Sequence, residues 1–173
     1  DLNYAHANSI IYNKKTKTLE YFEPHGFASN TIYNQQMKIV KRISDDLKDK
    51  GLEISSHLLV GGKMKGPQIY NGLEIECEIN GDPAGFCQAW SSWFIDFRVK
   101  HPNKSANQLI SKYMIEQLTK GYRGYRFKNF IRNYADNLIK FQNKYVSDCG
   151  IRHNLSVLCL NQLQVLYNTI FKQ

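Results

Sequence analysis

Four large aromatic side chains, Phe86, Trp90, Trp93 and Phe97, follow one another at intervals of 4, 3 and 4 residues. That spacing puts them on one stripe of an α-helix, and a stripe this large and apolar must be covered by other structure. Ala89 and Phe94 lie beside it. Asp82 as N-cap and Pro83 just inside predict the helix start, and His101-Pro102 predicts its stop. The rest of the chain has to supply the layer that buries this helix.

Upstream, residues 4–23 read as a β-hairpin. Residues 4–12 and 18–22 are rich in β-formers, and the polar Asn13-Lys14-Lys15-Thr16-Lys17 turns between them. Pro24 and Gly26 end the second strand. Ser29 is the expected N-cap of a helix with Ile32, Gln36, Ile39, Ile43 and Leu47 on one face, ending at Gly51. Residues 52–60 look like a third strand. Residues 61–81, with five glycines and Pro67, read as a loop with one short strand near 69–75. Beyond the aromatic helix, residues 105–120, 127–145 and 151–171 all carry helical patterns, the second with Phe127, Ile131, Tyr134, Leu138 and Phe141 in phase. No internal repeat is evident.

The expected class is therefore α+β: a small antiparallel sheet packed on a buried helix, with a helical C-terminal part. With 173 residues the chain reads as one domain, a core over 1–100 and a helical extension over 101–173. Hydrophobic residues make up 42%, enough for a real core, which excludes disordered and collagen-like classes. No apolar run has the length of about 18 residues that a spanning helix needs, so no membrane partner is expected. The chain starts with Asp and lacks a basic-then-apolar leader; it reads as a fragment or processed product, intracellular, in cytoplasm or virion, and not secreted. The formal net charge is +8, but no run reaches five or six like charges. A solvated basic surface is the plain reading, and nucleic-acid binding the weaker one. Cys77, Cys87, Cys149 and Cys159 show no zinc-finger spacing, and reduced thiols are expected.

The residues that carry chemistry begin with His6 and Glu23, seventeen positions apart on the two arms of the hairpin. A turn closing at Lys14-Lys15 pairs them directly. A four-residue turn over 14–17 makes them diagonal neighbours on the same face. Either register lets the carboxylate fix the imidazole tautomer. His25, two residues on, reads as a solvent-facing turn histidine, with a second hydrogen-bonding role as the alternative. Cys87 falls in the first turn of the aromatic helix, where free N–H groups and the helix dipole favour a thiolate and can line an oxyanion hole. Trp90 and Trp93 are at core spacing.

The segments HANSIIYNKKTKTLEYFEPHGF (6–27) and GFCQAWSSWF (85–94) resemble the adenain-like and SUMO-protease superfamily of cysteine peptidases, and also protease-like proteins of large DNA viruses. The likeness covers about residues 4–100. It implies a papain-like, adenain-type fold and a thiol hydrolase cleaving proteins, either virion precursors or ubiquitin-like conjugates. In it His6 is the base, Glu23 its orienting acid and Cys87 the nucleophile, with no metal or organic cofactor. The family's oxyanion Gln stands shortly before its Cys, whereas no Gln lies within ten residues upstream of Cys87. Gln68, nineteen residues before it, is the best substitute and Asp82 a weaker one. Cys149 in Ser147-Asp148-Cys149-Gly150, with Gln142 before it, is the rival nucleophile. The alternative function is an inactive protease-fold scaffold of a virus particle, assembling with capsid proteins.

Overall fold

The computed structural model describes residues 6–27, 29–72, 85–119 and 126–148. Strand β1 (Ser9–Asn13) and β2 (Thr18–Phe22) form the expected hairpin, followed by α1 (Asn30–Asp49), β3 (Ser56–Leu59), α2 (Pro67–Gly72), α3 (Cys87–Lys100), α4 (Ala106–Thr119) and α5 (Arg126–Asp148). The chain falls into two compact units that part between Ala135 and Asp136. The first holds the sheet, α1 to α4 and the start of α5. The second is represented by the end of α5, where Ile139 and Phe141 are exposed. Among the described residues no helix is long and apolar enough to cross a membrane.

The class is α+β, but the sheet is mixed. β1 and β2 are antiparallel, with Ser9 opposite Phe22 and Asn13 opposite Thr18, whereas β3 runs parallel to β2, Thr18 opposite Ser56. The expected antiparallel sheet is corrected here, and α1 is the reason: a helix of 20 residues crosses over the sheet and returns the chain to the same end, which parallel pairing requires. Lys17, at φ 51°, closes the four-residue turn of the hairpin.

Alternate residues of the hairpin serve two cores. Leu19, Tyr21, Ile10 and Tyr12 pack with Phe27, Val40 and Leu59 in the cluster that α1 covers. Ile11 and Phe22 face the other cluster, with Phe86, Trp90, Trp93 and Phe94 of the aromatic helix and Ile110, Met114, Phe127 and Ile131 beyond it. Trp90 and Phe94 are fully buried, so the aromatic stripe has the role its spacing predicts.

The Ser29 cap also holds, its Oγ accepting the Ile32 N–H at 3.2 Å. The buried stripe of α1 is rotated from expectation: Ile32 and Ile39 are exposed, and Tyr33, Met37, Val40, Ile43 and Leu47 face the core. The helix turns its polar Gln36 toward the Tyr21 hydroxyl, which donates to Gln36 Oε1 at 2.8 Å. The short strand expected near 69–75 is instead helical over α2, where Pro67 supplies a fixed φ at the helix start. Residues 73–75 and Asp82-Pro83 lie outside the described residues. The aromatic helix starts later than Asp82-Pro83 predicts: α3 begins at Cys87 with Phe86 as its N-cap, and it stops at His101 as expected.

Candidate thiol–imidazole site

The observed register is the four-residue-turn alternative, which makes His6 and Glu23 diagonal neighbours. Carried past the last ladder pair, Ser9 with Phe22, it sets Asn8 against Glu23 one residue on and His6 against His25 three residues on. The side chains follow that arrangement. His6 Nε2 and Glu23 Oε1 are 2.5 Å apart, and the His6 and His25 rings stack with centroids 4.8 Å apart and planes 26° apart. The same oxygen accepts the His25 backbone N–H at 3.0 Å and lies 3.6 Å from His25 Nδ1. With Nε2 of His6 committed to the carboxylate, its neutral tautomer leaves Nδ1 as the basic nitrogen.

Two glycines place Gln68. The turn after β2 crosses the loop before α2 with backbone against backbone: Gly66 N–H donates to His25 O at 2.8 Å, Gln68 N–H to Pro24 O at 3.0 Å, and Phe27 N–H to Met64 O at 3.1 Å. A methyl on Gly66 would sit 2.1 Å from Pro24 O and 2.6 Å from Gly26 N. Gly66→Ala is therefore expected to destabilise the fold by about 3 kcal/mol, the upper end of overpacking costs, because backbone cannot swing aside as a side chain can. Urea unfolding of the variant checks this, and wild-type stability would mean that the crossing is loose. Gln68 itself is buried, and its amide Nε2 lies against Gly85, where a side chain's first carbon would come within 2.6 Å. Its Oε1 has no hydrogen-bond partner among the described residues.

Two residues after Gly85, Cys87 opens α3 as a free, half-buried thiol. Its sulfur accepts the backbone N–H of Ala7 at 3.4 Å. The thiol thus lies at the first turn of a helix, against the residue that follows His6. The hairpin start, the turn after β2, the loop into α2 and the start of α3 bring His6, Glu23, Gln68 and Cys87 to one end of the sheet. Cys149 lies outside the described residues.

Glu23 is the electrostatic centre. Burial pushes its carboxyl up, but the His25 side chain and backbone N–H, together with His6, outweigh burial and hold it below the ordinary carboxylate range. Because the folded value is the lower one, Glu23 adds stability above the unfolded carboxylate's range, and that contribution is lost as pH falls through the folded value. Urea midpoints between about pH 7 and pH 3 should fall more steeply for wild type than for Glu23→Gln; parallel slopes would remove Glu23 from the acid response. Nearby, burial and then the Glu23 charge push the Tyr21 hydroxyl up to about 12, and it accepts from Asn8 Nδ2 at 2.7 Å.

His25 is more than the expected turn histidine, since it sets a second imidazole on Glu23. The ion pair of Glu20 with Arg98 was missed altogether. Arg98 Nε lies 2.6 Å from Glu20 Oε2 and its Nη2 2.8 Å from Oε1. Both side chains are almost fully buried. The sequence did hold the signal: Arg98 stands four residues after Phe94 on the inward stripe, and Glu20 has the parity of the buried Phe22. A charge at such a position requires an opposite charge.

No family model matches the chain, and no solved structure does. The chain is 28% identical over 178 residues to a protein of Acanthamoeba polyphaga mimivirus named as an ankyrin repeat protein, with 92% of this chain and 22% of that protein covered. The chain thus spans about a fifth of that relative's length. These findings overturn the expected membership of the adenain-like and SUMO-protease superfamily, and with it the hydrolase and thiol-protease function; nothing ties the chain to virion precursors, ubiquitin-like conjugates or capsid proteins. The relative itself is viral. The physical reason is that the likeness was local. Any hairpin with this turn length brings residues seventeen apart onto one face, and an aromatic helix start is common in α+β cores.

Proposed function

We propose that this chain is a protein-interaction module bearing a reactive thiol, in which Cys87 forms a covalent bond with an electrophilic group presented by a protein partner. The observation that carries this reading is the 2.5 Å contact of His6 with Glu23 beside a thiol that accepts the neighbouring Ala7 N–H. His6 Nδ1 takes the thiol proton, Glu23 stabilises the imidazolium, and the sulfur adds to an electron-poor carbon of a partner carbonyl or activated alkene. The π bond breaks, its electron pair moves onto the carbonyl oxygen, and the His6 proton returns to the adduct. The Gln68 amide and the N–H groups of the α3 first turn are the donors for negative charge developing on the partner's electrophile. The protein partner is supported by the relative's name, since ankyrin arrays present extended binding surfaces. The described residues here form a mixed sheet with helices on both faces rather than stacked helix pairs, so on this reading the chain is a distinct module of such a protein.

The test is intact-mass analysis after exposure to a peptide carrying a chloroacetamide. One adduct, mapped to Cys87 and absent from Cys87→Ser, supports the reading. An adduct spread over all cysteines, or centred on Cys149, overturns it.

A further inference from the structure

We propose that His6, Glu23 and His25 bind a borderline divalent transition-metal ion of the Zn2+ class through two imidazole nitrogens and one carboxylate oxygen. One ligand atom from each of the three residues lies within 4.8 Å of the others. Two imidazoles and a carboxylate are the donor set that such ions prefer. Metal–ligand bonds of about 2.0–2.2 Å place tetrahedral donors about 3.3 Å apart, and His25 Nδ1 is already 3.6 Å from Glu23 Oε1. The His6 contact at 2.5 Å is a hydrogen bond that lengthens when an ion replaces its proton.

What marks the cluster is its surplus. A base needs one orienting carboxylate, yet this carboxylate serves two stacked imidazoles through the same oxygen. Glu23 has a side-chain exposure of 6%, while His6 and His25 stand at 35% and 45%. A buried anion beneath two solvent-reachable imidazoles attracts a dication and leaves it a way in. The His25 backbone N–H also donates to Oε1 at 3.0 Å and fixes that oxygen between the two rings, as supporting groups fix metal ligands.

Coordination through His6 Nε2 would leave the neutral ring's proton on Nδ1, the nitrogen that would otherwise accept the thiol proton. The ion then switches off the chemistry at Cys87. This consequence rests on the thiol reading; the metal site does not.

The experiment uses the full chain as Cys87→Ser, titrated with Zn2+ by calorimetry and with Co2+ by visible absorption. One ion per chain is expected, with cobalt ligand-field bands and no thiolate-to-cobalt charge transfer. His25→Asn should weaken binding by more than about 10-fold, since losing a ligand costs at least what losing its supporting group does. No binding, a thiolate band, or unchanged affinity in His25→Asn overturns the site. Nitrogen-15 spectra of the unmodified chain remove dependence on any variant's folding: Zn2+ should shift His6 Nε2 and His25 Nδ1 and leave His57 and His101 in place, and the opposite pattern refutes the assignment. On the wild type, Zn2+ should also slow alkylation of Cys87, and His25→Asn should abolish that protection. Binding without protection keeps the site and severs its link to the thiol.

Discussion

Iodoacetamide added to the folded chain at about pH 6 is expected to label Cys87 well ahead of Cys77, Cys149 and Cys159, because an unassisted thiol, with a pKa of about 8.5, is almost wholly protonated there. His6→Ala should slow that labelling by about 100-fold, the lower end of what a positioned base contributes. Glu23→Gln should fall between the two, since the amide can hold the ring but cannot stabilise an imidazolium. The order follows from the geometry: His6 meets Glu23 at 2.5 Å, and the sulfur lies against the backbone of the next residue. The readout is the alkylation rate at each cysteine by peptide mapping. Equal rates at all four cysteines, or no change in His6→Ala, would sink the thiol site whatever the metal titrations show.

The largest loss of stability is expected from Arg98→Ala. Arg98 grips both carboxylate oxygens of Glu20 and also donates through Nη1 to His101 O at 2.6 Å and Lys104 O at 3.2 Å. Removing it strands a buried carboxylate and takes a donor from two carbonyls after α3, of which His101 O keeps the Lys104 N–H at 3.2 Å. Breaking one partner of a buried pair costs about 3–5 kcal/mol, which lowers the thermal midpoint by about 10 °C. The double variant Glu20→Leu/Arg98→Met should recover most of this loss, because an apolar pair of similar size fits between sheet and helix. It should not recover all of it, since both carbonyls still lack the Arg98 donor and only His101 O has another. Calorimetry of the wild type and the two variants decides the matter, and an Arg98→Ala midpoint within a degree or two of wild type would mean that the pair contributes little.

Strong local patterns were readable in the sequence, and long-range geometry was not. The Ser29 cap, the hairpin and the Phe86-Trp90-Trp93 stripe are each set within a few residues, and the fold keeps all three. The direction of β3 was out of reach, because nothing within residues 52–60 says which way a crossover returns the chain. The stripe of α1 was right at Ile43 and Leu47 and off by one position in its first half: Ile32 and Ile39 outbid Tyr33 and Val40 on hydropathy, but the sheet selects by position. For the site, spacing alone put His6 and Glu23 on one face, while the approach of Gln68 to Gly85 depends on the Gly26–Gly66 crossing, a contact between loops that carries no periodicity. Family membership was the least legible of all, since short motifs report the local geometry that any chain of similar topology can share.

The separations along the chain also set a timetable. His6 and Glu23 are joined across seventeen residues, Thr18 and Ser56 across thirty-eight, and Ala7 and Cys87 across eighty. Loop closure grows costlier with length and slows the contacts that depend on it. Both arms of the imidazole–carboxylate cluster therefore precede the cysteine in the chain by more than sixty residues, and the sulfur meets Ala7 only when α3 docks. On the proposed thiol reading, selective Cys87 labelling during refolding is thus expected to lag behind the recovery of hairpin structure, and the lag times the docking of α3.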